Sequence, residues 1–485
     1  MPIRISTILL WCALLSASSG SNISEQLKDF KVFKSVLLSK EGTIDLHVSK
    51  NTMEKALSFA EKNLGQPLSI LEQYKIYALT LSVIQCGHTQ IHPNREVFRE
   101  WLKARNALPI DYYLIGKKLI VNKTLNQDEV ELKQEYPDRK PRKSVPAGAE
   151  ILRLDHLTIP QMMREMGLFM SSDENGDDFK YFQAKQLFEF YRNLALPFNK
   201  DSVHVEFAFK GDTNELYLLT GRAPVHTINT RLRKSSELYE EHSQNMGEFK
   251  IVQGSGYFRF YSFKVSSGKK YEAFLKHSFE QLKKRKVKRL IVDLRGNTGG
   301  AMQYSIMRYF VGEGIYLGRY VIEKPKQGIE SGHLKKIQAD YLRHKRGTRI
   351  QKRKIRRAKF DDGRVETEAV DPSLVYTGAL VVITDEGTFS SAGILACQLK
   401  TLCGAKIVGR AAGGSFYGGN AGTLALELPN SKLTVYVNPN TFYAHLPPPA
   451  DPFVIKRPDV ELNRIILDPK KQDDYYFKAA KNAFK

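Results

Sequence analysis

The sequence predicts an α/β protein whose layered core follows a helical N-terminal domain and a small α+β segment. Three observations support this prediction. Helical patterns dominate the first 106 residues, alternating strand patterns appear between residues 107 and 222, and buried strands alternate with helices from residue 254 onwards. Such alternation is typical of a layered α/β core. A chain of 485 residues, 42% hydrophobic and 26% charged, is long enough for two or three globular domains.

Residues 1–20 are predicted to be a secretory signal peptide. The segment MPIR carries a positive charge, ISTILLWCALLSA is apolar, and the small residues SSGSN follow. The apolar run is too short to cross a bilayer, and the small residues suit cleavage by signal peptidase. We therefore expect an exported chain, periplasmic or secreted, without a transmembrane segment after processing.

Two segments precede the core. Residues 24–106 are expected to be helical, because MEKALSFAEKNL and ILEQYKIYALTLSVIQ place apolar residues three and four positions apart. Residues 107–222 include VHVEFAFKG and NELYLLTG, whose alternating pattern is typical of antiparallel strands. This second segment is expected to be a small α+β unit.

The core is expected over residues 245–470, followed by a C-terminal tail over 471–485. KRLIVDL is an apolar strand that stops at RGNTGG, and ALVVIT is a second buried strand. The turn DEGTF and the helix SSAGILACQLK follow ALVVIT, and Gly404 is expected to end that helix. AKIVG then repeats the strand pattern.

The net charge of +22 indicates attraction to anionic partners. Much of it lies in a predicted insertion over residues 325–365, densest at 343–359, which reads RHKRGTRIQKRKIRRAK. This run is either a solvated insertion or a site for an acidic polymer or an anionic envelope surface. It lacks the interleaved aromatic residues that base stacking needs.

No cofactor or metal is expected from sequence motifs. HExxH, paired CxxC, EF-hand and Walker A patterns do not occur. The acidic run DENGDD, Asp173–Asp178, is expected to be a solvated turn. Cys86, Cys397 and Cys403 remain after removal of the signal peptide, and we expect them to be buried thiols.

The stretch ITDEGTFSSAGILA holds two adjacent serines, Ser390 and Ser391, at the predicted start of a helix. Serine here either caps the helix through its side-chain oxygen or serves as a nucleophile beside the positive end of the helix dipole. The loop DLRGNTGG, residues 293–300, is either a tight turn or a source of backbone N–H groups for an oxyanion. These residues alone leave both choices open.

Five segments in order resemble peptidase family S41, which includes C-terminal processing (tail-specific) proteases and tricorn-type cores. They are VDLRGNTGG, VVITDEGTFSSAG, VGRAAGGSFYGGNAG, LPNSKLTVYVNP and KRPDVEL, spread over about residues 254–467. VPAGAEILRLDHLTI is more weakly similar to a degenerate PDZ-like segment. The resemblance implies a ClpP/crotonase-like core with a helical N-terminal domain and a PDZ-like α+β segment. It also implies a serine endopeptidase that acts on proteins.

The resemblance also assigns site residues. Ser390 matches the nucleophile of the family, and Ser391 would lend its backbone N–H to the oxyanion hole. Gly300 or Gly299 would be the second donor. Such donors stabilise the charge that develops when a carbonyl is attacked.

The chain departs from the family pattern at three positions. Many members carry a lysine base where this chain has Ser415, a Glu where it has Gly393, and an acidic residue where it has Cys86. Without the lysine another base must activate the serine, and histidine suits this role. His88, in GHTQI, matches the histidine of lysine-less relatives, and His445 is the alternative.

A third group should hold the imidazole. Lysine-less relatives place a carboxylate shortly before the closing PD motif, which makes Asp451 the candidate. Ser415 and Asn420 are expected to support the site. The departures also leave open a catalytically inactive peptide- or ligand-binding protein on the same scaffold.

Overall fold

The computed structural model describes most of the chain, with gaps. It covers residues 22–41, 44, 48–103, 108, 110–115, 117–124, 144–173, 176–196, 202–219, 247–264, 267–300, 303–322, 364–414, 418–421, 424–438, 440–445, 457–464, 466 and 469–484. The predicted signal peptide, the dense basic run at 343–359, Ser415 and Asp451 lie outside these ranges.

The described residues form ten α-helices and nineteen strands. The helices are α1 (Ile23–Lys40), α2 (Lys50–Leu64), α3 (Ile70–Ser82), α4 (Arg95–Lys103), α5 (Ile159–Met166), α6 (Asp177–Ala195), α7 (Gly268–Lys284), α8 (Gln303–Val311), α9 (Ser391–Cys403) and α10 (Pro469–Asn482). The strands are β1 (Gln90–His92), β2 (Ile110–Ile115), β3 (Lys118–Thr124), β4 (Glu150–Leu154), β5 (Leu157–Thr158), β6 (Ser202–Phe209), β7 (Asp212–Leu219), β8 (Glu248–Val252), β9 (Ser255–Arg259), β10 (Arg289–Asp293), β11 (Tyr316–Ile322), β12 (Arg364–Glu366), β13 (Ala379–Thr384), β14 (Lys406–Gly409), β15 (Gly418–Ala421), β16 (Leu424–Glu427), β17 (Thr434–Val437), β18 (Asn440–Ala444) and β19 (Val460–Glu461). The predicted α/β class and the helical N-terminal region are confirmed.

The central sheet has the strand order β19-β14-β13-β10-β9-β8. Its strands run parallel except β8, which is antiparallel to β9. Both faces are covered, as a parallel sheet requires. Leu290 and Val292 face helices α7, α8 and α9, whereas Ile291 of the same strand packs with Tyr476 and Ala480 of α10. The segment expected as a C-terminal tail is therefore mostly a helix that covers one face of the core.

A second sheet, with the order β2-β3-β4-β6-β7, contains the strands predicted from VHVEFAFKG and NELYLLTG. It packs with α5 and α6 and with the N-terminal helices in one continuous apolar core. Core and N-terminal region also share a small sheet, because β1 pairs with β17. This pairing fixes the residues just before β1 against the core.

A glycine cap explains where helix α9 ends. Helix α9 ends at Gly404, whose φ of 65° is the left-handed conformation that glycine adopts without strain, as the sequence predicts. Cys86 and Cys397 are buried, as expected, whereas Cys403 is only partly buried, and none of the three forms a disulfide within the described residues. Among the described residues, no helix combines the length and apolar character that crossing a bilayer demands.

A buried ion cluster ties the turn before α9 to two other elements. The Glu386 carboxylate, 3% exposed, lies 2.7 Å from Lys185 Nζ of α6 and 2.7 Å from Arg410 Nε, just after β14. Burial raises the pKa of Glu386, but the charges of Lys185 and Arg410 outweigh it and lower that pKa to about 2. The arrangement holds the serine-bearing turn against its neighbours.

Glu386→Gln is expected to lower the free energy of unfolding by about 3 kcal/mol at pH 7, because two cations lose their buried partner. The folded pKa of about 2 lies below the ordinary value of 4.5, so the carboxylate stabilises the fold above about pH 4.5. That contribution disappears as the pH falls towards 2. Urea unfolding of both proteins at several pH values measures the difference, which should shrink in acid. Equal stability of the two proteins at pH 7 would contradict this account, and Glu313→Gln, at an exposed position, is the control.

Candidate functional site

Ser390 occupies the junction between β13 and α9, where the sequence left two roles open. It holds the N-cap position of α9, yet its side chain makes no capping hydrogen bond. Its backbone has φ 56° and ψ −130°, a conformation that residues with a side chain rarely adopt. Strained residues of this kind cluster at active sites. Side-chain capping is therefore not the role of Ser390 in this structure.

The Ser390 hydroxyl faces His88. Ser390 Oγ lies 2.9 Å from His88 Nε2, within hydrogen-bonding distance, although 302 positions separate the two residues in the chain. His88 comes two residues before β1, whose pairing with β17 holds this loop at the core. A histidine at this distance is placed to take a proton from the hydroxyl.

Polar contacts fix the loop that carries His88. The Thr89 hydroxyl donates to Glu41 Oε2 at 2.7 Å, and Asn438 Nδ2 donates to Thr89 Oγ1 at 3.1 Å. The backbone N–H of Asn438 donates to the same Glu41 oxygen at 3.1 Å. All three side chains are buried. The end of α1, the histidine loop and the end of β17 are thereby joined into one network.

Aromatic packing positions the imidazole. The His88 ring lies 4.7 Å from the Phe389 ring, and Phe389 stacks on Phe179 at 3.9 Å, centroid to centroid. A Cβ atom at Gly87 would come within 2.7 Å of the Phe389 ring, so only glycine allows this close approach. The residue before the nucleophile candidate and the residue before the histidine thus pack directly on each other.

Three influences act on the His88 imidazole. Burial lowers its pKa from the ordinary 6.5, the Asp173 carboxylate raises it, and the Lys264 ammonium lowers it. The net shift is downward. This shift favours the neutral imidazole, which is the state that accepts a proton.

Asp173 corrects one sequence expectation. DENGDD was expected to be a solvated turn, but Asp173 is only 3% exposed. Its Oδ1 accepts a hydrogen bond from the Gly87 N–H at 2.7 Å, and its charge acts on His88. The packing of α5 and α6 against the N-terminal helices buries the start of this turn beside the histidine loop. No local pattern in the sequence indicates this contact across 86 positions.

The glycine-rich loop after β10 lies against the serine. A Cβ atom on Gly299 would come within 2.7 Å of Ser390 Cβ and 3.0 Å of Ser391 N. The Gly299 N–H donates to Asn297 Oδ1 at 2.9 Å, whereas within the described chain the N–H groups of Gly300 and Ser391 donate to no other residue. Of the predicted oxyanion donors, the N–H of Gly299 is therefore already engaged, whereas those of Ser391 and Gly300 have no acceptor within the described chain.

An ionic network holds the glycine-rich loop that follows β10. Burial raises the pKa of Asp293, at the end of β10, but Arg295 and Arg259 outweigh it and lower that pKa. Arg295 also reaches Asp473 of α10, with Nη2 at 2.7 Å from Oδ1. The helix at the C-terminus thus helps to hold the glycine-rich loop in place.

Two of the remaining predicted residues, Asn420 and His445, belong to the described part of the chain. Ser415 and Asp451 lie outside the described residues. Asn420 lies in β15, opposite Thr441 of β18. His445, the alternative base, is exposed, and its ring lies 4.9 Å from that of Tyr316.

One group of side chains has the composition of a metal site. A ligating atom from each of Cys86, His88 and Asp173 lies within 4.8 Å of the other two. His88 Nδ1, on the opposite side of the ring from Ser390, is buried and has no hydrogen-bond partner among the described residues. The chain therefore places a thiol and a carboxylate near an imidazole that has one unpaired ring nitrogen.

Comparison with solved structures supports the fold. Mature CPAF in complex with lactacystin is 12% identical, with a TM-score of 0.57, and the match covers 95% of this chain and 98% of that one. A serine-to-alanine mutant of CPAF is 13% identical, with a TM-score of 0.58, covering 95% and 97%. No curated protein matched the sequence.

The family comparison agrees with the resemblance inferred from the sequence motifs. Residues 254–444 match the model of peptidase family S41. The matched region runs from the central sheet through the glycine-rich loop, Ser390 and β18. It supports a peptidase function, with proteins as substrates. Residues 254–444 of this chain are therefore the region that is similar to peptidase family S41.

Proposed function

We propose that the protein is a serine endopeptidase in which Ser390 is the nucleophile and His88 the general base. One observation carries the proposal, the 2.9 Å separation of Ser390 Oγ and His88 Nε2. The strained backbone of Ser390 and its position at the positive end of α9 support it. A serine-lysine pair is not needed, because the imidazole occupies the place of the base.

The proposed reaction is acyl transfer. Ser390 Oγ attacks the peptide carbonyl while His88 Nε2 takes the hydroxyl proton, and the N–H groups of Ser391 and Gly300 stabilise the oxyanion. His88 then gives its proton to the departing amine, which leaves an ester on Ser390. Water, deprotonated by His88, attacks the ester, releases the carboxylic acid and restores the hydroxyl.

A carboxylate should stabilise the imidazolium that forms in both steps. We propose Asp173, because it is buried and its charge acts on His88. Asp451 was the prediction from the resemblance and remains a proposal for the same role, outside the described residues. The two candidates separate experimentally.

Asp173→Asn is expected to lower kcat by about 10- to 100-fold, because the buried negative charge beside the imidazolium is lost. The amide oxygen still accepts from the Gly87 N–H, so KM and folding should change little. Steady-state kinetics with Asp451→Asn alongside decides between the carboxylates. A full loss in Asp451→Asn with wild-type rates in Asp173→Asn would assign the role to Asp451.

The proposed activity is tested with the full chain and a quenched fluorescent unfolded protein as substrate. Cleavage should stop when a fluorophosphonate probe labels the enzyme. Lactacystin, the ligand of the CPAF structure, should compete with that labelling. Folded protein that neither cleaves nor labels would favour the alternative, an inactive peptide-binding protein on this scaffold.

We further propose that the chain is exported, with residues 1–20 removed, and that extended peptides add to a sheet edge near the site. A preference for C-terminal segments of substrates follows only from the family resemblance. The basic run at 343–359 would attach the protein to an anionic polymer or envelope surface. Salt-dependent retention on heparin that is lost on deleting this run would support that role, and unchanged retention would refute it.

A further inference from the structure

The His88 imidazole also belongs to a second possible site. Cys86 Sγ, a ring nitrogen of His88 and an Asp173 carboxylate oxygen lie within 4.8 Å of one another, and Cys86 and Asp173 are buried. Of the two ring nitrogens, Nε2 faces Ser390 Oγ, whereas Nδ1 has no hydrogen-bond partner among the described residues and is the one we take as the metal ligand. Thiolate, imidazole and carboxylate are the three side-chain ligand types that Zn²⁺ takes in proteins. Three protein ligands leave the fourth tetrahedral position for water or substrate.

The geometry requires little rearrangement. Ligand bonds to zinc of about 2.0–2.3 Å place neighbouring ligand atoms about 3.5 Å apart in a tetrahedron. Atoms now within 4.8 Å would therefore move together by about 1 Å. Asp173 is already held against this loop by the Gly87 N–H, and Cys86 and His88 are two positions apart on it. The hydrogen bond from the Gly87 N–H therefore holds Asp173 beside the loop that carries the other two ligands.

We propose that Cys86, His88 and Asp173 form a binding site for Zn²⁺ or a similar divalent transition metal, and that metal binding switches the peptidase off. The second half of this inference rests on the proposed role of His88 as base. A metal on Nδ1 uses the lone pair of that nitrogen. The imidazole hydrogen then resides on Nε2, which donates to Ser390 Oγ and has no lone pair to receive the serine proton.

The proton balance is simple. Binding converts the Cys86 thiol to a metal-bound thiolate and releases one proton to solvent. The imidazole stays neutral and only moves its hydrogen from Nδ1 to Nε2. No redox change occurs, so removal of the metal by a chelator restores the starting state. The inhibition is therefore reversible.

Substitution of Cys86 allows the metal site to be tested independently of the proposed catalytic groups. Its sulfur is a proposed metal ligand but has no part in the proposed proton transfer between Ser390 and His88. Cys86→Ala should therefore keep peptidase activity and lose metal sensitivity. Cys397, another buried cysteine, lies outside the cluster, and Cys397→Ala is the matched control.

The experiment titrates the full chain with Zn²⁺ by calorimetry and with Co²⁺ by absorption spectroscopy. The wild type should bind one metal ion per chain and show a thiolate-to-cobalt charge-transfer band. Zn²⁺ should inhibit hydrolysis until a chelator is added. Cys397→Ala should behave alike, whereas Cys86→Ala should lose the band and need at least about tenfold more Zn²⁺ for inhibition. Cys86→Ser replaces it if circular dichroism shows misfolding.

The outcomes distinguish the metal site from the proposed reaction. No thiolate band in the wild type, or equal zinc inhibition of the wild type and both Cys86 variants, would overturn the metal site. Suppose that the cobalt band is lost only on changing Cys86, but that the wild type without metal hydrolyses nothing. That result would keep the metal site and overturn the proposed function. Metal bound at Cys86 with undiminished hydrolysis would overturn the switch.

Discussion

Ser390→Ala is expected to lower kcat/KM for peptide hydrolysis by at least about 10⁴-fold, because it removes the proposed nucleophile. The substitution removes one oxygen from a partly exposed position, and that oxygen makes no capping bond to α9. The free energy of unfolding should therefore change little. Steady-state kinetics with the unfolded protein substrate and urea unfolding measure the two effects separately.

The control is the neighbouring serine. Ser391 Oγ is buried without a hydrogen-bond partner among the described residues, and Ser391→Ala keeps the backbone N–H proposed for the oxyanion hole. Its activity should stay within a few-fold of the wild type. Loss of activity in Ser391→Ala but not in Ser390→Ala would show that the nucleophile has been assigned to the wrong serine.

His88→Ala is expected to lower kcat by about 10⁴-fold with little effect on KM, because the hydroxyl loses its base while the substrate contacts remain. Combined with Ser390→Ala it should cost no more than either change alone, since the two residues act as a unit. Kinetics of the two single variants and the double variant measure this non-additivity.

His445→Ala is the matched control for the base. His445 was the alternative candidate, but its exposed ring packs near Tyr316. We expect its kcat to stay close to that of the wild type. A large loss in His445→Ala beside near-normal activity in His88→Ala would move the role of base to His445.

Local sequence signals predicted the elements around the site. Strands β10 and β13 and the end of α9 could be predicted, because each depends on residues that are neighbours in the sequence. The strands are apolar runs, and the helix ends at a glycine. The residues around Ser390 left capping and nucleophilic attack open, and only the resemblance to family S41 favoured the second. The missing capping bond, the backbone angles and the distance to His88 are features of the folded chain, and they support the proposed role.

The burial of Asp173 could not be predicted from the composition of the residues around it. An acidic run before a helix is usually solvated, but here the surrounding helices bury Asp173 against the Gly87 N–H and beside His88. Its contacts are long-range, so no spacing rule indicates them. The pairing of β1 with β17, which brings the histidine loop to the core, is long-range as well.

The most direct test of the account is to locate the covalent adduct of a fluorophosphonate probe on the full chain. The labelled protein is digested and its peptides are sequenced by mass spectrometry. We predict one adduct per chain, on the Ser390 hydroxyl, that fails to form in Ser390→Ala and forms at least about 10²-fold more slowly in His88→Ala. An adduct at another residue, or labelling of His88→Ala at the wild-type rate, would contradict the proposed pairing of serine and histidine.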